Sequence, residues 1–383
     1  MGAARVHRPI QAGPLEIPRF SGAERVGRAS DAPKVRKGPQ AVHREKCTLA
    51  AYARGVTTYA TDLAGIRAAH ERIAPHVHRT PVLTSRTMDT WASSDGVARS
   101  LFFKCENLQR IGAFKIRGAM NAVLKLTDEA AARGVVTHSS GNHAQALALA
   151  ARIRGIPAHI VMPTNAPEVK REAVRGYGGR VVPCEPTQKS REETAARIAA
   201  ETGATLVPPY DHADVIEGQG TLALELFDEV PDLDAVIVPL GGGGMISGVA
   251  LAYRELAPET QVIGAEPALA ADAYESKRSG AIVAQKPPVT VADGLRTSLG
   301  ALTFPVVRDL VSEIVLVDEE PIVACTKLVF ERMKLVIEPS AGVSVAVALG
   351  RGQSRLSASL RRIGVVLCGG NVDLDALPWL KRA

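Results

Sequence analysis

The strongest constraint on this chain is an alternation that starts near residue 134. Short apolar runs (134–140, 157–163, 179–185 and 204–209) are separated by stretches of helical spacing at 142–155, 167–178 and 191–203. Strands that alternate with helices of this length cannot pair as hairpins, so they form a parallel sheet with helices over its faces. The pattern resumes with a helix at 220–229, a strand at 234–239, a helix at 246–255 and a strand at 261–267. Two helices, 321–337 and 340–352, and a buried strand at 362–370 close it. Upstream, Asp62 caps a helix over 62–73. An extended segment at 80–83 and a strand at 100–105 lead into a helix over 116–126. The reading is an α/β chain with two open, mostly parallel sheet domains. Residues 128–211 form a small inserted α/β domain, and 58–127 with 212–383 form the large one.

Composition narrows the class. A chain of 383 residues that is 46% apolar and 22% charged is ordinary for a globular enzyme. Its five cysteines, an odd count without a CxxC pair, suit free thiols better than disulfides or zinc. Residues 1–46 hold ten basic and four acidic side chains, which accounts for the whole net charge of +6. The basic balance thus belongs to an extension over 1–57 and says nothing about the body. That extension has one aromatic, Phe20, before residue 47 and no base-stacking pattern, so nucleic acid is not an expected partner. The longest uncharged run, 235–253, is broken by Pro239 and five glycines and reads as strand, loop and helix. The start lacks an apolar core for a secretory signal. The expectation is a cytoplasmic protein outside the membrane.

Six stretches carry chemistry. Lys115 sits among Ala113, Phe114 and Ile116. An amine in apolar surroundings loses part of its preference for the charged form and becomes a nucleophile able to form a Schiff base. Gly241-Gly242-Gly243-Gly244-Met245 follows a strand and opens a helix, where converging N–H groups cradle a phosphate. It lacks the Lys-Ser/Thr of a nucleotide loop, and Ile246 breaks a dinucleotide fingerprint. Ser139-Ser140-Gly141-Asn142-His143 lies at another strand-to-helix turn, as ligand contacts or helix caps. Cys368 ends a buried strand and Glu338 opens a helix, both able to face the same site. Glu266 and Asp272, six residues apart around a turn, are oxygen donors that could take Mg²⁺ or Ca²⁺.

Together these stretches resemble the serine/threonine dehydratase and serine racemase family of fold-type II pyridoxal phosphate (PLP) enzymes. The shared motifs, in order, are FKIRGA (114–119), SSGNHAQAL (139–147), GQGT (218–221), GGGGM (241–245), GAEP (264–267), ADG (292–294), ERMKLVIEPSAG (331–342) and CGGNVD (368–373). The resemblance covers about residues 60–375 and implies the tryptophan synthase β-like architecture, with the active site between its domains. It implies that Lys115 holds PLP and takes the substrate Cα proton. Phe114 and Asn142 flank the cofactor, Gly241 to Gly244 and Met245 hold its phosphate, and Cys368 faces its ring nitrogen. Ser140 is the second proton donor, Ser139 to His143 hold the substrate carboxylate, and Arg191 lies near the substrate. Glu266, the Ala270 carbonyl and Asp272 match a divalent-cation site.

The expected activity is β-elimination of L-threonine or L-serine to a 2-oxo acid and ammonia. The catabolic form is expected, since little chain follows residue 375. The alternative is a serine racemase or a dehydratase for 3-hydroxyaspartate or phenylserine. Ile111 and Ala113 depart from the Thr or Ser usual in relatives. A homodimer and a small amino-acid substrate are implied as partners. A nicotinamide oxidoreductase, a non-catalytic PLP carrier and a nucleic-acid-binding protein are the readings from other classes.

Overall fold

The computed structural model describes residues 59–380 apart from 94 and 285, so the extension expected over 1–57 lies outside the described residues. Among the described residues ten strands make two sheets. The larger is built from β1 (Val82–Leu83), β2 (Ser100–Lys104), β7 (Ala235–Pro239), β8 (Gln261–Pro267), β9 (Glu313–Val317) and β10 (Arg362–Val366). Their order is β1-β2-β10-β7-β8-β9. Only β1 runs antiparallel to its neighbour. The smaller is all parallel, from β3 (Val135–His138), β4 (Ala158–Pro163), β5 (Arg180–Cys184) and β6 (Thr205–Leu206), in the order β5-β4-β3-β6.

The expected strand–helix alternation is therefore what the chain does. Central β7 is buried at every residue, as a parallel strand covered on both faces must be. The last strand, β10, sits in the middle of the large sheet, with Val365 opposite Phe103 on one side and Ile237 on the other.

Thirteen helices, α1 to α13, lie among the described residues: Leu63–Ile73, Arg86–Ala92, Lys115–Lys125, Asp128–Arg133, Asn142–Arg154, Glu168–Gly176, Gln188–Thr202, Ala213–Glu229, Gly244–Leu256, Asp272–Ser279, Thr303–Leu310, Glu319–Met333 and Pro339–Ala348. Local signals set several ends. The Asp62 carboxylate accepts from the Gly65 N–H at 2.9 Å to start α1. Gly155, at φ +73°, closes α5 in the left-handed conformation that glycine adopts without strain. Several expected boundaries move. Helix α8 begins at Ala213, two turns before 220, and α12 stops at Met333 because Lys334 turns left-handed, φ +60°.

Packing brings the small sheet's helices to the lysine. Ile116, Ala119, Met120 and Val123 of α3 share a core with Ala144 and Leu147 of α5 and with Ile160 of β4. The other side of α3 meets α8 so closely that a Cβ on Gly218 would fall 2.5 Å from the Arg117 carbonyl oxygen. A separate, larger core fills the space around the six-stranded sheet.

Candidate active site

All the chemistry-bearing stretches except that of Glu338 leave the carboxyl ends of parallel strands, where open α/β sheets bind ligands. β2 runs into the Lys115 loop, β3 into Ser139, β7 into Gly241, β8 into Asp272 and β10 into Cys368.

Lys115 is the first residue of α3, and its Nζ donates to the Pro209 carbonyl at 2.6 Å. The amine stands 5.1 Å from the Phe114 ring centroid. Burial brings its pKa down to about 8, against an opposite pull from Cys368 and Glu338. A lysine of this kind is partly neutral near physiological pH and able to act as nucleophile and base.

Four further predicted residues meet around it. The Phe114 N–H donates to the Cys368 carbonyl at 3.1 Å. The Asn142 amide donates to both carboxylate oxygens of Glu338, at 3.1 and 3.0 Å. The Cys368 thiol lies 3.8 Å from the Glu338 Oε1. Glu338 is 3% exposed, and burial raises its carboxyl to about 7 although Asn142 pulls it down. Burial, and then the adjacent Glu338, push the Cys368 thiol well above its usual range, so it is a neutral group.

The glycine loop is buried throughout. Among the described residues, no acceptor takes the N–H groups of Gly241, Gly242, Gly243 or Gly244. Buried N–H groups without partners at a helix start are an anion site. Glycine at 242 is demanded by space: a Cβ there would sit 2.5 Å from the Tyr210 ring. Thr303 Oγ1 donates to the Gly242 carbonyl at 2.9 Å and fixes the loop from behind. Met245 lies buried in the first turn of α9.

The turn after β3 behaves differently from residue to residue. Ser139 Oγ accepts from the Gly141 N–H at 3.3 Å. The Ser140 hydroxyl has no hydrogen-bond partner among the described residues. The His143 ring turns inward, with Nε2 3.0 Å from the Val207 carbonyl, and burial lowers it to about 3. The neutral ring does not offer a charge to a carboxylate; the orphan backbone N–H groups at the start of α5 do.

Arg191, in the first turn of α7, forms no ion pair among the described residues, and its Nε is buried without a hydrogen-bond partner. Its charge reaches His138, next to Ser139, and helps burial to lower that imidazole.

The Glu266 carboxylate already accepts from Ala273 and Tyr274 N–H groups at 2.8 Å each. Asp272 Oδ2 is buried without a hydrogen-bond partner. Burial raises the two carboxyls to about 8 and about 6. Ala270 is buried on the 3-10 turn between them. No group of three or more His, Cys, Asp or Glu side chains suited to a metal occurs among the described residues. Asp272 Oδ2 is therefore the buried carboxylate oxygen at this turn that remains unpartnered.

Sequence reading missed Pro209, Tyr210, Asp211 and Asn371. Asn371 Nδ2 donates to the Ile111 carbonyl at 2.7 Å and to Asn142 Oδ1 at 2.9 Å, which leaves the Asn142 amide nitrogen facing Glu338. Ile111 itself sits at φ +60°, unusual for a branched side chain. The signal for the 209–211 turn was an aromatic residue between a strand and a helix, in PPYDH (208–212).

The family model described as "Pyridoxal-phosphate dependent enzyme" matches residues 73–369. The chain belongs to this pyridoxal-phosphate dependent enzyme family. It is similar to the serine racemase of Arabidopsis thaliana, 50% identical over 321 residues that cover 83% of this chain and 96% of that protein. It is similar to the beta-hydroxyaspartate dehydratase of Paracoccus denitrificans, 51% identical over 312 residues, 82% and 96% of the two chains. The solved threonine deaminase of T.th. is 41% identical, covers 82% of this chain with 99% of its own, and superposes with a TM-score of 0.76.

This PLP-dependent enzyme thus has the fold-type II architecture expected from its motifs. The residues present fit the cofactor on two observations: the unpartnered N–H groups of the glycine loop suit a phosphate, and the depressed Lys115 amine suits an aldehyde. Among the described residues no helix is long and apolar enough to cross a membrane.

Proposed function

We propose that this enzyme acts at the Cα–H and Cβ–OH bonds of a small 3-hydroxy amino acid, as a serine racemase that also converts its substrate to a 2-oxo acid and ammonia. The observation that carries this is the tie between two strand-end turns: Asn142, two residues after Ser140 with its unpartnered hydroxyl, donates to Glu338, whose charge reaches the depressed Lys115 amine. The Lys115 amine removes a proton from Cα and the Ser140 hydroxyl returns one from the opposite face. Similarity supports serine racemase or hydroxyaspartate dehydratase more strongly than the threonine/serine ammonia-lyase reading, whose solved relative is more distant.

The bound cofactor supplies an electron sink for the charge left at Cα. Lys115 would hold it and, once released, take the Cα proton. Gly241 to Gly244 with Met245 would hold its phosphate, Phe114 and Asn142 would flank it, and the neutral Cys368 thiol would face its ring nitrogen without giving up a proton. N–H groups at the start of α5, with Ser139 and Gly141, would orient the substrate carboxylate. Loss of the Cβ hydroxyl together with the Cα proton, as water, followed by uptake of one water to release the nitrogen, would give a 2-oxo acid and ammonia. A homodimer, a cytoplasmic location and a small inserted α/β domain over 128–211 belong to the same reading, as does a divalent cation at Glu266, Ala270 and Asp272.

A second substrate reading, 3-hydroxyaspartate, is favoured by Arg191. Its guanidinium has no ion-pair partner among the described residues and suits a second carboxylate. The test is chiral analysis and 2-oxo acid release from PLP-loaded protein given L-serine, L-threonine and 3-hydroxyaspartate, with Lys115→Ala as control. D-serine formation is expected, with loss of about 10³-fold or more in the control. Turnover of 3-hydroxyaspartate alone, lost in Arg191→Ala, selects the second reading. Normal turnover by Lys115→Ala removes both.

A further inference from the structure

Two residues beyond Lys115, the Arg117 side chain is fully buried. Its guanidinium is gripped by two carboxylates at once. Nε and Nη2 donate to Glu106 Oε2 and Oε1 at 2.8 Å each. Nη1 and Nη2 donate to Glu225 Oε1 and Oε2 at 2.7 and 2.8 Å. Thr221 Oγ1, at 3.2 Å, and the His78 carbonyl, at 3.3 Å, also accept from it. Lys104 Nζ balances the charge, donating to Glu225 Oε2 and the Thr80 carbonyl at 2.7 Å each. Two cations and two anions, each at most 2% exposed at the side chain, form one neutral buried cluster.

Such a cluster is a poor way to gain stability, because desolvating four charges offsets most of their attraction. Its geometry points elsewhere. Glu106 follows β2 and Arg117 lies in the first turn of α3, so their fork-to-fork pair closes the loop that delivers Lys115. Glu225 fastens the same guanidinium to α8, where Gln219 Oε1 also accepts from the Gly118 N–H at 3.2 Å. Residues two apart on a helix point roughly 200° away from each other. With Arg117 locked into the core, Lys115 is turned toward Pro209 and the cleft.

We propose that Arg117 is the positioning residue for Lys115: clamped between Glu106 and Glu225, it sets the rotation of α3 and thereby the direction and dryness of the Lys115 amine. The inference rests on the reading of Lys115 as the cofactor-bearing base.

Two variants of the full-length, PLP-loaded protein test it. Arg117→Lys keeps the charge and loses both forks. Arg117→Met/Glu106→Leu removes one cation with one anion and leaves the Lys104–Glu225 pair balanced. Each is measured for thermal midpoint, for the pH titration of the cofactor's visible absorbance, and for kcat and KM separately. Both are expected to lower kcat by about 100-fold with little change in KM, the cost of a misplaced reacting group. Both are expected to displace the absorbance titration. The paired variant is expected to do so while keeping a near wild-type midpoint. A paired variant that keeps its midpoint and also keeps wild-type kcat and titration overturns the proposal. So does loss of the fold in both variants, which makes the cluster purely structural. Failure of the underlying reading looks different: Lys115→Ala then retains turnover and visible absorbance, whatever Arg117 does.

Discussion

Asn142 and Glu338 are 196 positions apart in sequence and meet through two hydrogen bonds from one amide to both oxygens of one carboxylate. Asn142 begins a helix beside the four-stranded sheet, and Glu338 precedes a helix beside the six-stranded one. The carboxyl therefore joins the two halves of the cleft, with the Cys368 thiol against it and Lys115 within its field. Its pKa near 7 is a raised value, so the folded state binds its proton more tightly than the unfolded chain does. Stability from this group is full below its ordinary value of about 4.5 and declines as pH rises through 7. Glu338→Gln is expected to flatten the dependence of thermal midpoint on pH between about 4.5 and 7 relative to wild type. Two parallel curves over that window contradict the assignment.

Gly242→Ala places a methyl group against the Tyr210 ring. Overpacking of this kind costs about 1–3 kcal/mol, so PLP affinity is expected to fall by about tenfold or more. Equilibrium dialysis of the variant with PLP measures it. Replacing Tyr210 by Ala in the same chain is expected to restore part of the loss; no loss in the single variant means that the loop is not confined by that ring.

Ser140 and Lys115 are expected to separate racemisation from elimination. Ser140→Ala leaves Lys115 in place and removes the proton donor of the other face. D-serine formation is expected to drop by about 10²-fold or more, while 2-oxo acid release from L-serine persists. Equal loss of both products argues against a two-face mechanism.

Asp272 Oδ2 is the one buried carboxylate oxygen at the Glu266–Asp272 turn without a hydrogen-bond partner. Millimolar Mg²⁺ or Ca²⁺ is expected to raise the thermal midpoint of the wild type through binding to the folded state, and to leave Asp272→Ala unmoved. Equal shifts in both proteins assign the cation effect elsewhere.

Legibility in the sequence followed the range of the interactions involved. The α5 helix was readable to within a residue, because an Asn start and a left-handed Gly155 act locally. The start of α11 was not. Its capping carboxylate is Asp211, which accepts from Ala301 at 3.0 Å, Leu302 at 2.8 Å and Thr303 at 3.1 Å from some ninety residues away. Lys115, the glycine loop, Asn142 and Cys368 were visible as motifs, since each is a short run bound to a turn. Arg117 stood inside the same motif, but its partners Glu106 and Glu225 come from a strand end and a distant helix, so no spacing rule reaches them. The β-substituent of the substrate was not legible: a lone guanidinium such as Arg191 looks in sequence like any solvated helix charge. His143 shows the opposite error, a polar motif residue whose ring serves the interior.

The place of β10 has a consequence for synthesis on the ribosome. The strand leading to Lys115 and the strand leading to the glycine loop do not pair; β10, made after both, lies between them and pairs with each. A nascent chain halted before Arg362 already contains the lysine, the loop and Asn142, yet lacks the segment that joins them in one sheet. Cofactor capture should therefore wait until β10 has left the ribosome. Stalled chains ending near residue 355 are expected to take up no PLP, and chains with residue 375 clear of the exit tunnel to take it up fully.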